Sequence, residues 1–142
     1  MRPPAPAIWL TAAGALPFLV AAAMILGFWP GAGQALIIAY GTVILCFMSG
    51  VLWGFAARHG AAWWPYAASV LPALYVFFFV QRHDWALPGQ PVAHLIAGFA
   101  AVLLLDAVFQ FRGLAPRWWL SLRIPVTALV LACLWVARNG QA

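Results

Sequence analysis

"LLLDAVFQFRGLAPRWWLSLRIP", residues 103–125, places an aspartate, Asp106, and an arginine, Arg123, inside two apolar runs joined by a short turn. Gly113 and Pro116 break a helix there, one by backbone freedom and the other by its missing N–H donor. The stretch therefore predicts two antiparallel neighbouring helices. Asp106 stands six residues before Arg112 and Arg123 six after Arg117, so both charges lie about 9 Å in from the same end of the hairpin. Opposite charges at matching depth can meet across it.

The rest of the chain says what surrounds them. Of its 142 residues 67% are hydrophobic and 6% charged, against roughly 25% charged in soluble domains. That length holds about five spans of roughly 20 residues each. Apolar segments predict helices at about 7–29, 34–58, 62–81, 90–112 and 116–138. The connectors "PGAGQ", "ARHGAA", "QRHDWALPGQP" and "RGLAPR" each carry Gly or Pro. Unpaired backbone groups are costly in lipid, so the spans are helices. The expected fold class is an all-α integral membrane protein, a single membrane domain over 1–142 forming a five-helix bundle with short loops. The first apolar run exceeds the roughly 7–15 residues of a signal-peptide core, and another span follows at once. It is read as a retained span, and no lipidation motif is seen at either terminus.

Orientation follows from the arginines. With five spans, Arg2, Arg58, Arg112 and Arg117 fall on one side, and Arg82, Arg138 and Asp84 on the other. The positive-inside rule puts the N-terminus in the cytoplasm and the C-terminus outside. Trp9, Trp29, Trp63, Trp64, Trp85, Trp118, Trp119 and Trp135 fall at the expected helix ends, as an interfacial aromatic belt requires. Trp53 is the exception, lying inside the second helix.

That exception falls in the layer of the two charges. Gln110 follows Asp106 at i+4 and Thr127 follows Arg123 at i+4, giving each helix a polar stripe. Trp53 is at similar depth, where its indole N–H can reach Asp106 or its ring can stack on Arg123, with Ser49 one turn deeper. Trp53, Ser49, Asp106, Gln110, Arg123 and Thr127 are thus the candidate intramembrane polar layer. Three readings stay open. The layer is a structural clasp fixing the last hairpin, a proton or ligand site built on an intramembrane acid, or, through Arg123, Arg117 and Arg112, a lipid-headgroup site.

Other chemistry is less well supported. His59 and His94 belong at opposite ends of the bundle, too far apart to share a haem. His83, Asp84 and His94 share the outer side, but their spacing matches no metal-ligand pattern. Ser49, Ser69 and Ser121 have no histidine at their depth to act as base. Cys46 and Cys133 read as packing residues without a disulfide framework. Gly50 and Gly54 have the small-xxx-small spacing of close helix contact; Pro17, Pro72 and Pro125 interrupt spans as kinks or hinges. Singly scattered arginines form no nucleic-acid footprint. No catalytic, metal or cofactor-binding residue is assigned, and no cofactor or nucleic-acid partner is expected.

"GALPF", "AYGTVILCFMSGVLWGFAAR", "SVLPAL", "LLLD" and "PRWWLSLRIPVTALV" resemble domain-of-unknown-function family 3429, which includes bacterial inner-membrane proteins and the eukaryotic transmembrane protein 69. The likeness spans nearly the whole chain. The combination of G-x-x-W-G before an arginine with L-R-x-P-x-T carries it, whereas Val51–Leu52 stand where a more polar pair, often with His, is expected. The resemblance implies a small polytopic membrane protein with no activity to carry over, and its shared residues include Trp53, Asp106 and Arg123.

The expected role is a non-enzymatic accessory or assembly partner of a larger membrane complex, held in the lipid bilayer with a membrane-protein partner or as a homo-oligomer. The alternative is a small transporter or proton conductor using the Asp106/Arg123 layer. Richness in Ala, Gly, Pro, Arg and Trp, with no Lys, points to a high-GC bacterium and its cytoplasmic (inner) membrane. The topology makes a direct prediction. A phosphatase active only outside the cytoplasm, fused to the C-terminus, should be active. A silent phosphatase together with a fluorescent cytoplasmic reporter at the same site would overturn the five-span topology.

Overall fold

The computed structural model describes residues 2–60, 62–82 and 90–140. Every regular element among them is helical: α1 (Ala5–Ile25), α2 (Gly33–Arg58), α3 (Trp63–Tyr75, continued by a π-helical turn at Val76–Val80), α4 (Gln90–Phe111) and α5 (Trp119–Asn139). Counting α3 with its π turn, five helices are long and apolar enough to cross a membrane. The expected Asp84 and His83 lie outside the described residues, as does Trp85.

Left-handed glycines decide two of the helix ends. Gly27 has φ 82°, and there the Phe28 N–H donates to the Ala23 carbonyl at 2.9 Å and the Gly27 N–H to the Met24 carbonyl at 3.1 Å. This paired closure ends α1 at Ile25, short of the expected Trp29, because a residue with a Cβ resists that conformation. Gly113, with φ 74°, repeats it after α4: Leu114 N–H reaches the Phe109 carbonyl at 2.8 Å and Gly113 N–H the Gln110 carbonyl at 3.0 Å. The chain then reverses through Pro116 into α5.

Pro72 breaks α3 in a different way. Its ring has no N–H for the preceding turn and crowds the carbonyl there. One rung further on, the Ala73 N–H donates to Ser49 Oγ at 3.1 Å, and the Ser49 hydroxyl donates to the Ser69 carbonyl at 2.6 Å. A hydroxyl from α2 is thus inserted between the donor and acceptor of a rung that α3 would otherwise close itself. Neighbouring helices can satisfy backbone groups freed by proline in this manner. Ser69, fully buried, turns its own hydroxyl back to the Tyr66 carbonyl.

Around the bundle each helix packs on its chain neighbours, α1 also packs on α5, and α2 and α4 touch across the middle. That central contact interlocks. Leu45 of α2 fills the space over Gly98, where a Cβ would stand 2.8 Å from its Cδ1, and Leu95 of α4 does the same over Gly41 at 3.1 Å. Phe18 of α1 sits edge-on to Tyr40 and Phe99, at 5.1 and 5.8 Å between ring centroids. Cys133 is buried beside this core, whereas Cys46 faces outward. Gly50 and Gly54, read from their spacing as a close-contact pair, have no neighbour within 4 Å of a Cβ placed on them. Their face of α2 points out of the bundle, and the intimate contacts are made at Gly41 and Gly98. Leu10, Phe47, Phe77, Leu104, Phe111 and Trp135 contribute to an exposed apolar perimeter.

The start of α2 lies tight against the end of α1: a Cβ on Gly33 would stand 2.6 Å from the Ala21 carbonyl oxygen. Backbone cannot rotate aside as a side-chain tip does, so Gly33→Ala should cost about 1–3 kcal/mol of stability. Gly50→Ala should be near neutral. Thermal unfolding of both variants in detergent checks the contrast, and equal behaviour would contradict the packing.

Candidate functional site

Asp106 and Arg123 meet. Asp106, 0% exposed on α4, accepts from Arg123 Nε at Oδ2 over 2.8 Å. Its other oxygen, Oδ1, accepts from Trp119 Nε1 over 2.7 Å. Trp119 and Arg123 are one helical turn apart on α5, so one face presents both donors to one carboxylate. The Arg123 Cζ also lies 6.0 Å from the Trp119 ring centroid, within cation–π range. Trp119 is in turn held edge-on by Phe55 of α2, at 5.0 Å and 88°. The carboxylate thus makes charge-assisted bonds on both oxygens, and a ring wedged against a third helix fixes their geometry.

Gln110 serves the same hairpin by another route. Its Oε1 accepts from the Leu120 N–H at 2.8 Å, occupying one of the free donors in the first turn of α5, where Trp118 at the N-cap offers no side-chain acceptor. The residue expected to extend the polar stripe is therefore the cap of the following helix. Thr127 is 1% exposed and Arg123 7%. Thr127 Oγ1 and Arg123 Nη2 are buried atoms without a hydrogen-bond partner among the described residues.

Two of the expected members are elsewhere. Trp53 is 48% exposed, and its ring meets Tyr66 of α3 at 4.9 Å, away from the ion pair. Depth fixes a layer but leaves rotation about the helix axis open: the buried side of α2 runs through Leu45, Met48, Ser49, Leu52 and Ala56, and Trp53 lies beyond its edge. Ser49 is buried, but it serves the α3 backbone. Trp119, assigned to the interfacial belt, takes the place expected of Trp53. The signal for it was the i,i+4 spacing of Trp119 and Arg123. Nor does Arg123 join Arg112 and Arg117 in a headgroup cluster. It is buried against Asp106, while the other two are exposed and Arg112 lies 5.7 Å from the Trp64 ring centroid.

The remaining candidates separate likewise. His59 ends α2, with Nδ1 3.0 Å from the Phe55 carbonyl. His94 lies near the start of α4, at the other end of the bundle, with Nδ1 2.8 Å from the Tyr75 hydroxyl and its ring stacked on Phe79. Among the described residues no three His, Cys, Asp or Glu side chains are grouped to hold a metal ion.

The family described as Protein of unknown function (DUF3429) matches residues 3–138, nearly the whole chain, and the protein belongs to it. Searches of curated proteins and of solved structures give no match.

A double-mutant cycle measures the clasp. Asp106→Leu or Arg123→Leu alone leaves a buried unpaired charge and should cost about 3–5 kcal/mol, while the double variant should lose far less than their sum. Trp119→Phe keeps an aromatic side chain but removes the indole N–H and part of the ring system, and the lost hydrogen bond alone should cost about 1–3 kcal/mol. Thermal stability in detergent reads all four. Additive losses would mean that the charges do not support one another.

Proposed function

We propose that this member of the family is a non-catalytic accessory or assembly partner of a larger membrane complex in a bacterial cytoplasmic membrane, with its N-terminus on the cytoplasmic side. The supporting observation is the closed hydrogen bonding of the Asp106 carboxylate. Both oxygens of Asp106 are engaged by donors on one turn of α5, and the residue is wholly buried. A proton-carrying acid must change protonation and exchange with water during a cycle. A carboxylate held by an arginine and an indole inside the bundle suits a static clasp instead. The exposed apolar perimeter leaves the outer faces of the helices available to lipid and to a membrane-embedded partner, either another protein or a second copy of this chain.

The alternative, a proton conductor built on Asp106, is separated by flux. Liposomes containing the protein and a pH dye, held at a membrane potential, should show no proton uptake above empty liposomes. Purification in native lipid particles should recover a membrane protein in stoichiometric amount. A potential-driven pH change that disappears in Asp106→Asn, with that variant folded and inserted, would replace the accessory reading by the conductor.

A further inference from the structure

α1 packs on both α2 and α5, but α2 and α5 barely touch, and the space between the three helices is a cavity of about 410 Å³, in the size range of small-molecule sites. Its lining runs from Ala7 to Phe18 on α1, from Ile44 to Phe55 on α2 and from Trp119 to Val130 on α5. Each of these stretches rises about 16 Å, roughly half of a hydrocarbon core of about 30 Å. The cavity is therefore one leaflet deep, and it starts at the end of the bundle where α1 and α5 begin and α2 ends. Its walls are apolar except at Thr11, Arg123 and Thr127. Leu10 of α1 and Phe47 of α2, both lining residues, are exposed at its side.

The end at which the cavity starts is basic. Ile44, Val51 and Arg58 follow one another at two-turn intervals, so the row of lining residues on α2 continues to Arg58 at the helix terminus. Arg58 is exposed, as are Arg2 before α1 and Arg117 before α5. Asp106 is the only acid among the described residues, and Arg123 holds it. The three exposed arginines therefore have no acidic partner there. An apolar slot of leaflet depth with uncompensated positive charge at its outer end complements an amphiphile with an apolar chain and an anionic head. A membrane-spanning helix of a partner would run through both leaflets, over about 20 residues, whereas this cavity ends after one. We propose that it holds one acyl chain of an anionic phospholipid, whose phosphate lies at Arg58. Basic sites between transmembrane helices at the membrane surface take anionic head groups in this way.

Equilibrium binding of radiolabelled dioleoylphosphatidylglycerol to the purified full chain in detergent tests the site, with unlabelled competitors correcting for partition into micelles. The lipid should be held saturably. Dioleoylphosphatidylcholine, with the same chains and no net charge, should compete at least about tenfold more weakly. Glycerol 3-phosphate, a head without a chain, should not compete. Arg58→Gln should weaken binding about fivefold, equivalent to the roughly 1 kcal/mol of one arginine near a membrane surface. Arg112→Gln, at a residue that lies against Trp64, should leave it unchanged. Val126→Trp fills the slot from α5 and Gly14→Leu from α1, where a Cβ meets nothing nearer than the Tyr40 hydroxyl at 3.9 Å, and each should abolish binding. Melting of the lipid-free variants checks folding; if the filled variants unfold, the head-group series and the arginine variants still decide. Equal competition by dioleoylphosphatidylcholine would remove the head-group selection, and competition by glycerol 3-phosphate would reduce the site to a surface anion site. Absence of saturable lipid would leave the cavity to a protein partner. Each of these outcomes overturns the proposal, as does full binding in a folded, filled variant, unchanged binding in Arg58→Gln or an equal loss in Arg112→Gln.

Discussion

Taking the Asp106 carboxylate out of water costs several kcal/mol even after relaxation, and the fold offsets that by delivering two donors to its two oxygens. Both come from one turn of α5, so the position and rotation of that helix are set by the needs of one side chain on α4. The turn between them must be short and must reverse sharply, which the left-handed Gly113 allows. Gln110, one turn beyond Asp106, then caps the helix that Asp106 holds. The last hairpin is thus tied by an ion pair, an indole bond and a cap, all within a few residues of its turn. Phe55 wedged on Trp119 extends the tie to α2.

The same demand, that buried polar groups find partners within the protein, shapes the opposite flank. Pro72 opens α3, and a hydroxyl from α2 fills the opened rung. Ser49 is thereby committed to the α3 backbone and is withdrawn from the polar layer. Tyr40, whose hydroxyl donates to the Gly14 carbonyl at 2.9 Å, ties α2 to α1 in a comparable way. Against this background Gln34 Oε1, Arg123 Nη2 and Thr127 Oγ1 stand out as buried side-chain atoms without a hydrogen-bond partner among the described residues. The Arg123 guanidinium holds the hairpin through Nε, and the residue also lines the space between α1, α2 and α5.

Helix number, the rough extent of each helix and the meeting of Asp106 with Arg123 were legible in the sequence, because each depends on order along the chain. An apolar run of about 20 residues needs a helix to satisfy its backbone, and a short Gly/Pro turn makes its flanking helices antiparallel. Equal distances from that turn then put the two charges at one depth. The end of α1 was misplaced by a few residues, since "GFW" is apolar enough to continue a span and only the left-handed Gly27 stops it.

Which way each side chain faces was settled only by tertiary structure. Trp53 and Trp119 are both near the depth of the charges, but α2 turns Trp53 outward to Tyr66 while α5 turns Trp119 onto Asp106. Gly50 and Gly54 have the spacing of a packing motif and lie on an outer face, whereas Gly41 and Gly98, with no partner at that spacing, admit the leucines of the opposing helix. In a chain that is apolar on almost every helix face, hydrophobic periodicity does not mark an inner side. Rotation about each axis is decided by where neighbouring helices and the few polar atoms fit one another.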